Sequence, residues 1–260
     1  VTGVQTCALP ISVKYLGHLD MLRYFQKAVV RAALDVKYSA GFNPHQLMAF
    51  AYPLGVSMET VGDYLDLELN TPMDPCMVKE ALNNVMNEGI KIVDAALLSE
   101  KSANAMAAVE AASYRLTLDV KEDGIRRKAT VKDHEKFVAA LKEIMSREEI
   151  LIPTEKAKKK KGGRNKSELS YKDIRPGILV AGVSDVPGEE GILDLMLLSG
   201  SKLNVKPVSV VEEIEKCIFG PEEERQEGCA LVIAALRRIE IFGKDDADAF
   251  VPLIGLGTEK

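Results

Sequence analysis

The stretch between residues 15 and 69 constrains the fold more than any other part of the sequence. Apolar residues recur at three- and four-residue steps from His18 to Leu34, a spacing that predicts a helix with Leu22, Phe25, Val29 and Ala32 buried. The turn SAGFNPH follows, and apolar and polar residues then alternate in DYLDLEL, which predicts a strand. Helical and strand periods in close succession favour an α+β fold over a doubly wound sheet.

The first half of the chain reads as strand, helix, two strands with an extra strand between them, helix and strand. The predicted elements are Val13–Leu16, His18–Leu34, Val36–Ser39, Leu47–Leu54, Tyr64–Leu69, a helix from Pro75 and Ile90–Leu98. This order corresponds to the βαββαβ arrangement of ferredoxin-like units. In the last strand before the second helix, we expect Leu65, Leu67 and Leu69 to point inward and Tyr64 outward.

The second half repeats a similar order. The predicted elements are Tyr114–Val120, Asp133–Ser146, Glu149–Thr154, Ile192–Leu198, Val208–Phe219 and Leu236–Phe242. We therefore predict two tandem ferredoxin-like units packed together, at 13–100 and 113–245, with a linker at 101–112 and a tail at 246–260.

The first twelve residues, VTGVQTCALPIS, show no period and run into a strand that has already begun. They lack the basic region and the long apolar core of a signal peptide. We interpret residues 1–12 as a non-native leader, similar to the adapter sequence found at the edges of assembled genes, and exclude them from the fold prediction.

Composition narrows the function classes. The formal net charge is −5, so any contact with nucleic acid must come from a local basic patch. No apolar run approaches the roughly 20 residues of a membrane helix. The cysteines are Cys7, Cys76, Cys217 and Cys229, and their spacing matches neither a zinc site nor an iron–sulfur cluster. We expect a cytoplasmic protein with free thiols, no metal and no cofactor.

Four segments together carry a family resemblance: YLGHLDMLRYFQKA, YSAGFNPH, FAYPLGV and GDYLDLEL. With KDIRPGI and LNVKPVSVVEEI in the second half, the chain resembles the radical SAM-linked family known from the domain DUF2344, over residues 13–242. The resemblance implies a radical SAM protein as partner. It implies no catalytic residues, because none are established for that family.

The catalytic candidates are His18, Asp20 and His45. His18 begins the first helix and His45 ends the turn. If the sheet brings them together, Asp20, Asp66 or Glu68 completes a metal or acid–base cluster. The alternative is that both histidines bond to loop backbone and shape the turn, since no ligand pair has the spacing of a metal motif.

Within the turn, Gly41, Phe42, Asn43 and Pro44 fit either a ligand-binding loop or a structural turn. Gly41 permits a backbone conformation that other residues avoid, and Phe42 is suited to stacking or to filling the core.

Basic residues concentrate in two places. The segment 156–166 reads KAKKKKGGRNK, with seven cations and no anion, and a mobile hairpin tip of this kind suits a phosphate backbone. The nucleic-acid candidates are Lys158, Lys159, Lys160, Lys161, Arg164, Lys166 and Arg175, together with Arg23, Lys27 and Arg31 on one face of the first helix. The alternatives are a solvated loop, an ordinary polar helix face, and a structural role for the segment DIRP around Arg175.

Three functions fit these observations. The first is a non-catalytic accessory protein that binds a radical SAM enzyme and presents RNA to it. The second is an RNA-processing or RNA-modifying enzyme in which His18, His45 or Asp20 acts as the acid–base group. The third is a structural protein without a nucleic-acid role. Whether the chain is an enzyme stays open, and the sequence favours the first function.

Overall fold

The computed structural model describes residues 2–7, 15–99, 103–158 and 166–256, and its fold is of the mixed α+β type. The chain divides into two compact units. Unit 1 comprises residues 1–115 and 235–260, and unit 2 comprises residues 116–234. Among the described residues, no helix combines the length and apolar character that crossing a membrane requires.

Unit 1 begins with a four-stranded antiparallel sheet and two main helices. In chain order, its elements are β1 (Thr2–Cys7), α1 (His18–Arg31), β2 (Met48–Phe50), β3 (Glu59–Thr60), β4 (Asp63–Leu67), α2 (Pro75–Asn83), β5 (Lys91–Leu97) and the short α3 (Ala105–Ala108). The sheet order is β2-β4-β1-β5. β1 lies within residues 1–12, so the sheet includes part of the segment that the sequence indicates to be non-native.

Unit 2 carries a second sheet and a separate hairpin. Its elements are β6 (Ala111–Glu122), β7 (Ile125–Lys128), α4 (Val131–Ser146), β8 (Leu151–Lys158), β9 (Lys166–Asp173), β10 (Ile178–Val183), β11 (Ile192–Leu198), α5 (Pro207–Phe219) and β12 (Ala230–Lys244). The strands follow the order β10-β11-β6-β12, while β8 and β9 form a separate two-stranded sheet. β6 and β12 each continue past the unit boundary, and the chain ends in unit 1 with β13 (Phe250–Pro252).

Helix α1 anchors the core of unit 1. Its buried residues are Met21, Phe25, Ala28 and Val29. Met21, Phe25 and Val29 belong to one core cluster with Leu65 and Leu67 of β4 and with Val78 and Leu82 of α2. The predicted stripe is correct at Phe25 and Val29, whereas Leu22 and Ala32 are only half-buried. The buried face is therefore turned by about one residue from the predicted one.

Two predicted strands of unit 1 are shorter in the structure. Leu47–Leu54 reduces to β2, because Pro53 cannot donate to a sheet ladder and the chain bends at Ala51. Val36–Ser39 contributes only isolated bridges, Val36 to Leu69 and Tyr38 to Gln46. Of the predicted Val13–Leu16, residues 13 and 14 lie outside the described part, and residues 15 and 16 form no strand.

The second face of the unit 1 sheet is also covered. Tyr64, predicted to point outward, is buried among Ala51, Val109, Ile241 and Leu253. Val109 falls in the predicted linker and Leu253 in the predicted tail, so neither segment is a free connection. The close approach also requires Gly62, because a Cβ at this position would overlap the carbonyl oxygen of Ile239 in β12.

Candidate functional site: a basic hairpin arm

Strands β8 and β9 form a hairpin of eight antiparallel residue pairs, from Leu151 opposite Asp173 to Lys158 opposite Lys166. We call residues 151–173 the arm. Eight strand residues span about 26 Å. The sequence predicts that the basic segment connects strands at Glu149–Thr154 and Ile192–Leu198, but the chain returns directly through β9. Lys159, Lys160, Lys161 and Arg164 lie outside the described residues.

The base of the arm is fixed by hydrogen bonds. Asp173 Oδ1 accepts from the backbone N–H of Ile150 at 2.8 Å and of Arg175 at 3.0 Å. The N–H of Ile174 donates to the carbonyl of Ile150 at 2.9 Å. Farther along, the hydroxyl groups of Thr154 and Ser170 lie 2.8 Å apart and each donates to the other residue's carbonyl. The basic segment therefore extends from an ordered base.

The contacts of Arg175 favour the structural alternative for this residue. Its guanidinium donates to the carbonyl oxygen of Met145, near the end of α4, at 2.8 Å, and to that of Ile178 at 3.4 Å. A bidentate phosphate contact would require both bonds to break. Arg175 thus connects the arm to α4 and β10.

The basic stripe on α1 is partly engaged within unit 1. Arg23 pairs with Asp20 at 3.3 Å. Arg31 donates to the carbonyl of Val85 at 3.2 Å and lies 5.8 Å from the ring centroid of Tyr24. Lys27 lies between them in the sequence and is exposed. The arm carries the denser concentration of basic residues.

His18 and His45 line different pockets. The His18 ring contacts Phe50 edge-on, with centroids 5.7 Å apart, and faces a small apolar pocket whose wall includes Asp63. The space open to the centre of a water molecule there is about 20 Å³, enough for about one water. Asp20 is on the surface of α1, paired with Arg23, so the three catalytic candidates do not form one cluster.

His45 shares an open groove of about 320 Å³ with Asp66, Glu68 and Asn104. Its Nδ1 lies 2.8 Å from the hydroxyl of Ser39. Asp66 accepts a hydrogen bond from the N–H of Ala105 at 2.7 Å, and burial raises the pKa of Asp66. The fold thus places His45 in the same groove as Asp66 of β4 and Glu68, which directly follows β4. The sequence predicts both acidic residues as partners of the histidines. In the part of the chain that the structure describes, no three His, Cys, Asp or Glu residues form a group that could hold a metal ion.

The turn between Tyr38 and Gln46 is closed at its base and open at its tip. The N–H of Ser39 donates to the carbonyl of His45 at 2.8 Å, and Gly41 adopts a φ of 114°. Phe42 is fully exposed at the tip and contributes nothing to the core. The prediction that Phe42 fills the core is therefore wrong, whereas stacking on a ligand stays a prediction.

Sequence reasoning missed a buried polar cluster in unit 1. Arg238 of β12 is 1% exposed; it forms an ion pair with Asp63 and donates to the carbonyl of Tyr52 at 3.0 Å. Beside it, the hydroxyl of Tyr64 donates to Glu240 at 2.6 Å, and burial raises the pKa of both groups. The sequence feature that could have revealed this cluster is the pair of adjacent arginines, RR, inside an otherwise apolar strand pattern.

Comparison with known proteins identifies the family. A search of curated proteins gave no match. The family model described as "Uncharacterized protein conserved in bacteria (DUF2344)" matches residues 11–207, which include α1, the turn and the arm. That match spans well over half of the chain, and the protein therefore belongs to the DUF2344 family.

Proposed function

We propose that this protein is a non-catalytic accessory protein of the bacterial cytoplasm that binds RNA through the arm and presents it to a radical SAM enzyme. The observation that carries the RNA-binding part is the paired arm, which holds a segment with seven cations and no anion on a chain of net charge −5. Clustered cations on an otherwise acidic protein confine the attraction for phosphates to one place.

The fold supports this proposal. In a βαββαβ unit, the first and third strands occupy the centre of the sheet. Unit 1 has that order as β2-β4-β1-β5, once the extra strand β3 is left aside, and unit 2 has it as β10-β11-β6-β12. We infer that both are ferredoxin-like units, with β8 and β9 inserted into the second.

The covered sheet of unit 1 favours the arm over a sheet surface as the RNA contact. RNA-binding units of this class use the sheet face opposite the helices, where exposed aromatic residues stack on bases. In unit 1, Tyr64 on that face is buried beneath Val109, Ile241 and Leu253, and its hydroxyl is bonded to Glu240. Acidic side chains of the groove beside His45 add negative charge to the face.

RNA binding is tested by fluorescence anisotropy with a labelled oligonucleotide at several salt concentrations. We define the four-serine variant as Lys158→Ser, Lys159→Ser, Lys160→Ser and Lys161→Ser. We expect it to weaken binding and to reduce the slope of log affinity against log salt by about 0.7 for each phosphate that is no longer neutralised.

A matched control variant replaces four lysines outside the arm, Lys91, Lys128, Lys132 and Lys142, with serine; all four are exposed. We expect this control to bind RNA with the wild-type salt slope. Equal losses of affinity in both variants would contradict the assignment to the arm.

The partner is tested separately by co-purification. The resemblance in the segments around His18, Gly41 and Asp63 supports a radical SAM protein as partner. We expect tagged protein to retain a radical SAM protein from a bacterial extract, and the purified chain to leave RNA unchanged. Turnover of RNA by the chain alone would contradict a non-catalytic role.

A second candidate function is acid–base catalysis on RNA. The groove in which His45 and Asp66 lie together is the observation that favours it. Under this alternative, His45→Ala abolishes an activity of the purified chain while RNA affinity is unchanged. His18→Ala is the comparison, because His18 lines the other pocket.

A further inference from the structure

We propose that the open edge of β10 is a dimer interface, at which β10 of one chain pairs antiparallel with β10 of a second copy. The interface lies within unit 2 and involves neither the basic segment of the arm nor the pockets of unit 1.

Strand β10 occupies one end of the unit 2 sheet. Among the described residues it pairs with β11 on one side and with no strand on the other. Its six residues correspond to about 20 Å of strand. An edge strand presents a row of backbone N–H and C=O groups, and an extended polypeptide is the partner that satisfies such a row. The chemistry of this edge therefore fits another strand.

The pairing with β11 shows which backbone groups face the edge. The N–H of Ser184 donates to the carbonyl of Ile192 at 2.9 Å, and the register with β11 is regular from there back to Val180. Because inward and outward groups alternate along an antiparallel strand, the N–H and C=O groups of Ala181 and Val183 point away from β11. Within the described part of the chain, no other hydrogen bond engages these outward groups.

Strand β10 also lacks the features that usually protect an edge. Natural edge strands carry charged residues or proline, are covered, or are very short. The sequence of β10, ILVAGV, contains neither a charged residue nor a proline. In unit 1, by contrast, the side-chain amide of Asn83 covers the edge strand β5, because it bonds to the N–H and C=O of Ile92 at 2.8 and 2.9 Å. The other edge strand of that sheet, β2, has only three residues.

The charges on either side of β10 favour a second copy of this chain as the occupant. Residues 172–177, before the strand, carry two cations and one carboxylate, whereas residues 184–190, after it, carry three carboxylates and no cation. In an antiparallel pair of identical strands, the positive flank of one copy lies beside the negative flank of the other. The strands themselves place no like charges opposite each other. Since both copies use the same edge, a two-fold axis closes the assembly.

Two positions of β10 allow this interface to be blocked without disturbing the fold. Val180 and Gly182 lie on the same face of the strand, because they are two residues apart. Val180 is 56% exposed, and a Cβ added at Gly182 meets no atom within 4 Å. Lysine at both positions is therefore expected to leave unit 2 folded, while it sets like charges opposite each other across the two-fold axis.

Sedimentation velocity over a range of micromolar concentrations tests the interface. We expect wild type to sediment as a monomer–dimer equilibrium, and Val180→Lys with Gly182→Lys to weaken dimerisation at least about ten-fold. The matched control, Ile125→Lys with Val131→Lys, adds the same charge at two exposed positions of unit 2 outside β10 and is expected to dimerise as wild type does. Thermal unfolding checks that all three proteins fold.

Hydrogen exchange separates strand pairing from a contact made through side chains alone. In peptides that span residues 178–184, we expect the amides of Ala181 and Val183 to exchange more slowly in concentrated than in dilute wild type. The amides of Gly182 and Ser184, which face β11, are expected to be protected at both concentrations. The double-lysine variant should show no dependence on concentration.

A wild-type protein that stays monomeric over the whole concentration range overturns the proposal. A dimer that the double-lysine variant leaves intact, or whose formation leaves exchange in 178–184 unchanged, also overturns it, because the contact then lies on another surface. Protection of these amides only after a different protein is added assigns the edge to a strand of that protein instead. None of these outcomes depends on RNA binding, which the salt titration of the four-serine variant tests separately.

Discussion

Arg238 and Asp63 form a fully buried ion pair that connects β12 to the start of β4. Two carbonyl groups, of Tyr52 and Pro53, accept further hydrogen bonds from the same guanidinium, and the Tyr52 ring lies 5.0 Å away. Removing one charge leaves the other buried without its counter-ion. We expect Arg238→Met to lower the free energy of unfolding by about 3–5 kcal/mol in denaturant titrations.

The double variant Arg238→Met with Asp63→Leu separates loss of the pair from loss of packing. Because it leaves no uncompensated charge, it should recover a large part of the stability lost in the single variant. A single variant within about 1 kcal/mol of wild type would show that the pair does not connect these strands.

Phe42, unlike the buried Arg238–Asp63 pair, is a residue that we expect to contribute nothing to stability. Its ring is fully exposed, whereas Phe25 of α1 is buried in the core of unit 1. We expect Phe42→Ser to leave the melting temperature unchanged and Phe25→Ala to cost about 3–5 kcal/mol. A comparable loss in both would mean that Phe42 is packed in solution.

At the scale of elements, α4 depends on a buried capping residue. Burial opposes ionisation of Asp133, but hydrogen bonds from Arg127 at 2.6 Å and from the hydroxyl and N–H of Thr130 outweigh it and lower the pKa of Asp133 to about 2. A carboxyl whose pKa is lower in the folded state stabilises the protein above its unfolded pKa. That contribution is lost as the pH falls from about 4 to about 2.

We therefore expect wild type to lose roughly 2 kcal/mol of stability over this range through Asp133. Asp133→Asn should remove that part of the pH dependence, as measured by urea unfolding at a series of pH values. Identical pH profiles for the two proteins would exclude the capping carboxylate as the source.

Arg175 also connects secondary-structure elements, because its contacts join the base of the arm to α4 and β10. We expect Arg175→Met to destabilise unit 2 by about 1–3 kcal/mol while the salt slope of RNA binding is retained. A reduced slope without a loss of stability would instead assign Arg175 to a phosphate.

Elements with a strong period were predictable, and those shaped by distant contacts were not. The helices predicted at His18, Pro75, Asp133 and Val208 begin within two residues of the predicted starts, because each buries one face. Strand β9 was missed, since its alternation is masked by charges next to the basic segment. Tyr64 lies on the predicted face, opposite Leu65 and Leu67, but it is buried because residues from the C-terminal segment cover it.

The same distinction applies to the candidate sites. The basic segment and the turn around Gly41 are local, and their residues can be identified directly in the sequence. The Arg238–Asp63 pair joins residues 175 positions apart, and no local pattern links them. Likewise, only the register of β2 with β4 brings His45 beside Asp66 and Glu68.

At the scale of the whole molecule, the two units carry different candidate features. Unit 1 carries the first four segments of the family resemblance, the small pocket at His18 and the groove at His45. Unit 2 carries the other two segments and the arm. The C-terminal residues return to unit 1, where Leu253 is buried. Truncation before Ala249 should therefore destabilise unit 1 rather than remove a free tail.

Photo-crosslinking of the full chain to a 4-thiouridine-labelled single-stranded RNA, mapped by mass spectrometry, tests the central claim most directly. We predict crosslinked peptides from residues 151–173 and the disappearance of these peptides in the four-serine variant. Crosslinks confined to α1, or to the groove of His45, would contradict RNA binding by the arm.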